Sequence, residues 1–168
     1  RYVAAAADLL DEAARLEMNS IHQEKVSRTA IKICAKEFGR RNRRQGTEKQ
    51  RFLSAVTDKG VFFFNKTAEN LCKKIYIVDD DAGAASRIFM STVRKNALEH
   101  GFDIITCRCP LFPSEKIEHI FIPELKIGFM TDNKRHKTEI LPFRTIHARR
   151  FFDEKKYSKN KSKIKVVI

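Results

Sequence analysis

The chain has 168 residues and a formal net charge of +13 at pH 7, with 42% hydrophobic and 33% charged residues. This length suits one domain, or one domain with a helical arm, and is sufficient for a sizeable core. The apolar runs Val61–Phe64 and Ile75–Val78 are far shorter than the roughly 20 residues of a membrane helix, and no secretory signal is visible at the start. We therefore predict a cytoplasmic protein without a membrane segment.

Four cysteines are present: Cys34, Cys72, Cys107 and Cys109. Cys107 and Cys109 are too close in sequence for an unstrained disulfide, and the single residue between them is not the ligand spacing of the usual zinc knuckle. We predict that all four are reduced, partly buried thiols.

Residues 1–39 predict a helical arm. Apolar residues recur at helical spacing through Val3–Phe38, the pattern breaks near Asn19–Gln23, and Gly39 is a suitable stop for the second helix. Two helices joined by so short a break form an antiparallel hairpin. Residues 40–51 follow as a basic linker.

Residues 52–168 predict an α/β domain. The apolar run Ile75–Val78 is typical of a strand covered on both faces in a parallel sheet, and the loop Asp79–Ala85 and a helix to about His100 follow it. The further predicted strands are Phe52–Val56, Phe102–Cys107, Ile117–Ile122, Leu125–Met130 and, at the chain end, Ile164–Ile168. The aromatic run Phe62–Phe64 is interpreted as core, because three adjacent rings cannot all face one side of a strand and no basic residues alternate with them.

The loop after Ile75–Val78 has the place of a phosphate-binding loop without its residues. Such a loop reads G-x-x-x-x-G-K-[ST]: the glycines let backbone amides approach the phosphates, the lysine neutralises them, and the hydroxyl binds magnesium. On this spacing Asp80 replaces the first glycine and Ala85 the second, while Ser86 replaces the lysine and Arg87 the hydroxyl. Taken without its flanking sequence, this segment is an acidic turn before a helix.

The charge of this loop also opposes nucleotide binding. Three consecutive aspartates, Asp79–Asp81, lie where a polyphosphate would bind and would repel it. The start of the following helix still attracts an anion, and Arg87 adds one cation. The loop positions that would surround a phosphate are Asp80, Gly83, Ala85, Ser86 and Arg87.

Motifs on both sides of the loop resemble one half of an uncharacterised bacterial family. Phe52–Gly60, Ile75–Arg87 and Ile122–Ile127, which contains Ile-Pro-Glu-Leu, follow one another in the order found in that family. Gly101–Asp103 and Cys109–Pro110 stand at the corresponding places between them. The chain is thus similar to tandem P-loop NTPase-like proteins, ATPases found mainly in Firmicutes.

The resemblance implies a three-layer P-loop NTPase-like fold with a parallel sheet, preceded by the helices that link the two halves. It implies that this chain is the second half of a longer protein, and it leaves open whether the fold is complete at its C-terminus. ATP and magnesium are the implied ligands, and another P-loop domain or a second copy is the implied partner. The acidic residue of the family's Walker B-like position has its nearest counterparts in Thr131 and Asp132. Asp132, offset by one position, is the candidate metal ligand.

Three functions are compatible with these observations. The first is a degenerate, non-hydrolysing domain that serves as the structural or regulatory partner of an active ATPase domain. The second is an ATP-binding protein in which Arg87 replaces the lysine of the loop. The third is non-specific nucleic-acid binding, because clustered cations gain by releasing counterions from phosphates. The basic residues concerned are Arg40, Arg41, Arg43, Arg44 and those of the tail from Arg149 to Lys165. Whether the chain is an enzyme is left open.

Overall fold

The computed structural model of the chain describes residues 2–40, 44–134 and 137–167. The α-helices in these ranges are α1 (Tyr2–Met18), α2 (Gln23–Phe38), α3 (Asn65–Leu71), α4 (Ala84–Glu99) and α5 (Glu154–Val167). The strands are β1 (Glu48–Arg51), β2 (Ser54–Thr57), β3 (Gly60–Phe63), β4 (Lys74–Asp79), β5 (Ile104–Arg108), β6 (Ile117–Ile122), β7 (Ile127–Asp132) and β8 (Arg144–His147).

Six of these strands form one sheet in the order β1-β5-β6-β7-β4-β8. β4 is parallel to both of its neighbours, β1 is parallel to β5, and β6 is antiparallel to β5 and β7. The predicted α/β class is therefore confirmed, whereas the sheet, predicted to be parallel, is only mostly parallel because β6 runs antiparallel to its neighbours. β4 has the continuous apolar run of a strand that is covered on both faces, and Ile75–Val78 are all buried.

The sheet separates two hydrophobic cores. Ile75 and Ile77 face one core and Tyr76 and Val78 face the other, as the two-residue period of a strand requires. Helices α2 and α4 cover the Tyr76 side. Helix α3 and the segment that precedes β2 cover the Ile75 side, so helices lie on both faces of the sheet.

The two helices predicted as an arm lie against the domain. The predicted break is present, since α1 ends at Met18 and α2 begins at Gln23. Val26, Ala30 and Ile33 of α2 are buried in the same core as α4. α1 contacts α4 and α5. The helical pair is thereby one layer of the α/β unit.

The segment predicted as a linker contains a sheet strand. β1 runs parallel to β5 at the sheet edge, and Glu48 is paired with Ile104 in the register. Glu48 accepts hydrogen bonds from Thr106 Oγ1 at 2.7 Å and from Arg94 Nε at 2.9 Å. These contacts hold a polar segment, Glu48–Arg51, in an extended conformation that its sequence does not predict.

Two other predictions are wrong. The predicted last strand, Ile164–Ile168, falls in helix α5, which continues through Val167; the final residue lies outside the described part of the chain. The run Phe62–Phe64 is not core: Phe62 is 58% exposed and Phe64 is 47% exposed. Both residues belong to the β2–β3 hairpin region. This hairpin is separate from the main sheet, and its strands have few buried residues.

The cysteines and the lengths of the helices bear on two predictions from the sequence. All four cysteines are buried free thiols. Within the described residues, every helix is too short or too polar to cross a membrane.

We expect Phe129→Ala to lower the free energy of unfolding by about 3–5 kcal/mol, because truncating a buried aromatic side chain leaves a cavity. Phe129 is fully buried and stacks on Tyr76 with a centroid separation of 5.3 Å. Phe62→Ser is the matched control and should change stability by no more than about 0.5 kcal/mol. Denaturant unfolding monitored by circular dichroism measures both. Similar losses in the two variants would contradict the assignment of Phe62 to an exposed hairpin.

Candidate functional site

The carboxyl ends of β4, β7 and β8 meet at one edge of the sheet, where ligands of parallel α/β sheets usually bind. The loop between β4 and α4 lies at this edge and contains the residues aligned with a phosphate loop. Gly83, at φ 86°, adopts the left-handed conformation that lets the chain turn into α4. The location is therefore that of a phosphate loop, and its chemistry depends on the side chains.

Asp80 fills the position that a phosphate would take at the start of α4. Its side chain is only 4% exposed, and Oδ2 accepts the backbone N–H of Ser86 at 2.6 Å. The Ser86 hydroxyl donates to the carbonyl of Gly83 at 3.1 Å. The first amides of a helix lack partners within the helix and attract an anion. Here that anion is the protein's own carboxylate.

A second buried carboxyl group, Glu17 of α1, adjoins Asp80. Glu17 is 2% exposed. Its burial, and then the charge of Asp80 and the hydrogen bond between the two carboxyl groups, raise the pKa of Glu17 well above its usual range. The raised pKa favours the protonated form of Glu17, in which its carboxyl group can donate a hydrogen bond to Asp80.

The cavity at this loop is small and mainly acidic. Its volume is about 250 Å³, and its charged or titratable lining residues are Glu17, Asp79, Asp80, Asp81, His147, Arg149 and Tyr157. Asp79 Oδ2 lies 2.8 Å from His147 Nδ1, and Asp81 Oδ2 lies 2.6 Å from Lys134 Nζ. Carboxylates thus surround the space in which the phosphates of a nucleotide would have to lie.

Two further cations, Arg87 and Lys116, lie near the loop, and each has an acidic partner. Arg87 donates to Asp11 Oδ1 at 3.1 Å and places its guanidinium over the ring of Phe112 at 5.3 Å. Lys116 Nζ lies 3.5 Å from Glu118 Oε1, and a Cβ atom at Gly83 would be 3.3 Å from the same nitrogen. Lys116 is the nearest counterpart of the missing loop lysine, but it comes from the segment before β6.

Asp132 stands at the end of β7 opposite Asp79 of β4. It shares the strand parity of Met130, which faces the core on the side away from α4. Its Oδ1 accepts the N–H groups of Asn133 at 3.0 Å and Thr138 at 3.2 Å. The described residues contain no group of three or more His, Cys, Asp or Glu side chains placed to hold a metal ion.

Only some of the basic residues proposed for nucleic-acid binding lie in the described part of the chain. Arg40 is exposed, and Arg41 and Arg43 lie outside the described residues. Both terminal nitrogens of Arg44 donate to Asp103, at 3.0 and 2.9 Å. Hydrogen bonds from Arg44 and Thr47 hold the pKa of Asp103 far below its usual range. Arg44 therefore has a partner within the domain.

Sequence reasoning missed Glu17, Lys116 and His147 at this site. For Glu17 a signal is present: it follows the buried Ala13 and Ala14 by four and three residues, so it lies on the apolar face of α1. An acidic residue on such a face requires a buried polar partner. Lys116 and His147 reach the loop from distant parts of the chain, and nothing local distinguishes them.

Comparisons of the chain with protein-family models, with curated proteins and with solved structures find no significant match. The resemblance to tandem P-loop proteins therefore remains a prediction from the motifs.

We expect Glu17→Gln to remove a pH dependence of stability. Because the folded pKa of Glu17 is raised, the folded chain retains a proton that the unfolded chain loses above about pH 4.3. Wild-type stability should then fall as pH rises, by up to about 1.4 kcal/mol per pH unit from this group. The glutamine amide can donate to Asp80 without ionising, so the variant should gain stability relative to wild type between pH 5 and pH 8.

Urea unfolding across this pH range measures the difference. Glu12→Gln, at an exposed position of the same helix, is the control and should follow the wild type. If the Glu17→Gln and wild-type curves run parallel, Glu17 is not protonated in the folded state.

Proposed function

We propose that this chain is a degenerate P-loop NTPase-like domain that does not hydrolyse nucleotides and acts as a structural or regulatory partner of an active ATPase domain. The observation that carries the proposal is the Asp80 carboxylate, 2.6 Å from the Ser86 amide at the start of α4. A phosphate group would need the same amide.

A nucleotide could enter only by displacing Asp80. The displaced carboxylate would lose its hydrogen bond from Ser86 and would remain close to the phosphates. A hydrogen bond to a charged group contributes about 1.5–3 kcal/mol, and the like charges would add repulsion. Intramolecular occupation also has the entropic advantage that no ligand must be immobilised. Closure of the loop by its own carboxylate is thus favoured over nucleotide binding.

The cations required for phosphoryl transfer are also lacking at the loop. Such a reaction needs positive groups and magnesium on the transferring phosphate. Arg87 is paired with Asp11, Lys134 with Asp81, and Lys116 with Glu118. Asp132 uses its Oδ1 for two backbone amides. These pairings support a domain without hydrolytic activity.

The hairpin surface supports a role beside another domain. We use this name for the exposed side chains of the β2–β3 region: Phe52, Val56, Val61, Phe62 and Phe64. Contiguous apolar surface of this kind marks interaction sites, and a two-stranded hairpin alone is marginally stable. In this proposal an ATPase domain covers the surface.

We expect no nucleotide-dependent chemistry from the purified chain. Phosphate release from ATP should equal that of buffer, and magnesium should not promote ATP binding in calorimetry, because Asp80 occupies the loop. Magnesium-dependent binding that is lost in Asp79→Asn or Asp132→Asn would contradict the proposal. Phosphate release that is lost in Arg87→Ala would instead favour an ATP-binding protein with a non-standard loop.

We expect the isolated chain to be monomeric, because its net charge of +13 opposes self-association. Lys59 in the β2–β3 turn and Lys66 at the start of α3 would also face their equivalents near the hairpin surface. Sedimentation velocity at several protein concentrations tests this. Leu9→Ser is the control, because Leu9 is also an exposed apolar residue. A dimer that dissociates in Phe62→Ser, but not in Leu9→Ser, would show that the hairpin surface binds a second copy of this chain and not an ATPase domain.

A further inference from the structure

A group of arginines converges between α4 and β5, beside the loop. Arg87, Ser91 and Arg94 recur at helical spacing on one face of α4. Arg108 closes β5 after an irregularity between Cys107 and Arg108, and it lines the same cavity as these residues of α4. A hydroxyl group and three guanidinium groups therefore surround one space.

This space is a cavity of about 330 Å³, within the size range of small-molecule sites. The residues that line it are Arg87, Ser91, Arg94, Arg108, Glu115 and Ile117. Arg108 is the most enclosed of the arginines, with 15% of its side chain exposed. The carboxylate of Glu115 is the acidic group of the lining, and it belongs to an exposed residue before β6.

Guanidinium groups outnumber the buried carboxylates around the cavity. Glu48 is shared by Arg94, which donates to it from Nε at 2.9 Å, and by Arg108, whose nearest nitrogen is 4.0 Å away. Asp11 is likewise shared by Arg87 and Arg15. Each carboxylate therefore serves two guanidinium groups, which leaves positive charge uncompensated except by the exposed Glu115.

Two of the guanidinium groups also have unused donors. The Nε atoms of Arg87 and Arg108 are buried and have no hydrogen-bond partner among the described residues. A buried donor without a partner costs free energy. Reorientation of the two side chains toward an anion in the cavity would give these donors acceptors, and the planar fork of arginine matches the oxygens of a phosphate group.

We propose that this cavity binds the phosphoryl group of a small phosphorylated ligand. Arg94 and Arg108 provide the charge on two sides, Ser91 provides a hydroxyl donor, and Arg87 contributes a third guanidinium group. The site needs no metal ion, because arginine supplies the positive charge. It also does not depend on the closed loop, since the Asp80 and Glu17 carboxyl groups line a different cavity.

Calorimetric titration of the full chain with pyrophosphate at moderate salt tests the proposal. We expect saturable binding without magnesium, weakened at least about tenfold in Arg108→Gln, as expected for the loss of a hydrogen bond to a charged group. Lys95→Gln removes the same charge from the exposed side of α4 and should leave the affinity unchanged. Equal weakening in both variants would show general electrostatic attraction and overturn the proposal.

Two further variants separate recognition from folding and from net charge. Arg108→Lys retains the charge but loses the planar fork, so its affinity should fall with its unfolding curve unchanged. Ser91→Ala removes one donor without altering the charge, and it should weaken binding while Thr92→Ala, one residue away on α4, does not. Wild-type affinity in both Arg108→Lys and Ser91→Ala would contradict the site.

Two ligand controls complete the test. Sulfate should bind more weakly than pyrophosphate, because it has a single anionic centre of lower charge. A single-stranded oligonucleotide that binds while pyrophosphate does not would replace the small ligand by nucleic acid and overturn the proposal. Binding that requires magnesium and is insensitive to Arg108→Gln would overturn it as well, and would in addition contradict the closed-loop function.

Discussion

The requirement to satisfy the first amides of α4 links several elements at the carboxyl edge of the sheet. Asp80 meets this requirement with a carboxylate, but a buried charge needs a partner of its own. Glu17 provides that partner as a protonated acid, which in turn requires α1 to pack beside the loop. α1 contacts α5, and the connection between α1 and α2 is held by the β-bridge between Ile21 and Phe152. Closure of the loop and packing of the helical pair against the domain therefore depend on the same contact between Glu17 and Asp80.

The two sides of α4 differ sharply in their electrostatics. At its start, carboxyl groups take the place of an incoming anion. Along its flank, Arg87 and Arg94 contribute to an arginine cavity in which donors remain unused. The loop therefore repels anions, whereas the arginine cavity nearby attracts them. The same helix contributes to both sites: Asp80 caps its first turn, and Arg87 and Arg94 line the arginine cavity. These two arginines lie on one face of α4, because residues three and four apart project from the same side of a helix.

Elements with a strong local sequence pattern were predicted, whereas elements without such a pattern were missed. The continuous apolar run of β4 is typical of a strand that is covered on both faces, and β6 has the predicted bounds, Ile117–Ile122. β1 is polar, and only its pairing with β5 and the contacts of Glu48 make it a strand. The prediction that Phe62–Phe64 belong to the core was wrong. An aromatic run usually indicates core, but this run lies on a hairpin outside the main sheet. The prediction of a C-terminal strand was wrong because this segment belongs to α5, which packs on α1. A contact between the two ends of the chain cannot be inferred from the residues of one end.

The sequence by itself determined the α/β class, the break between the first two helices and the side chains of the loop after β4, which differ from the lysine and hydroxyl that a phosphate-binding loop requires. These depend on residue identity and on short periods. Only the tertiary structure decided that Asp80 caps α4, that Glu17 reaches it from α1, and that Arg108 faces Arg87 and Arg94. The contact of Glu17 with Asp80 joins segments that are separated by several elements, and the raised pKa of Glu17 depends on the burial that this packing produces. Spacing can place side chains on a face, but only packing determines which faces meet.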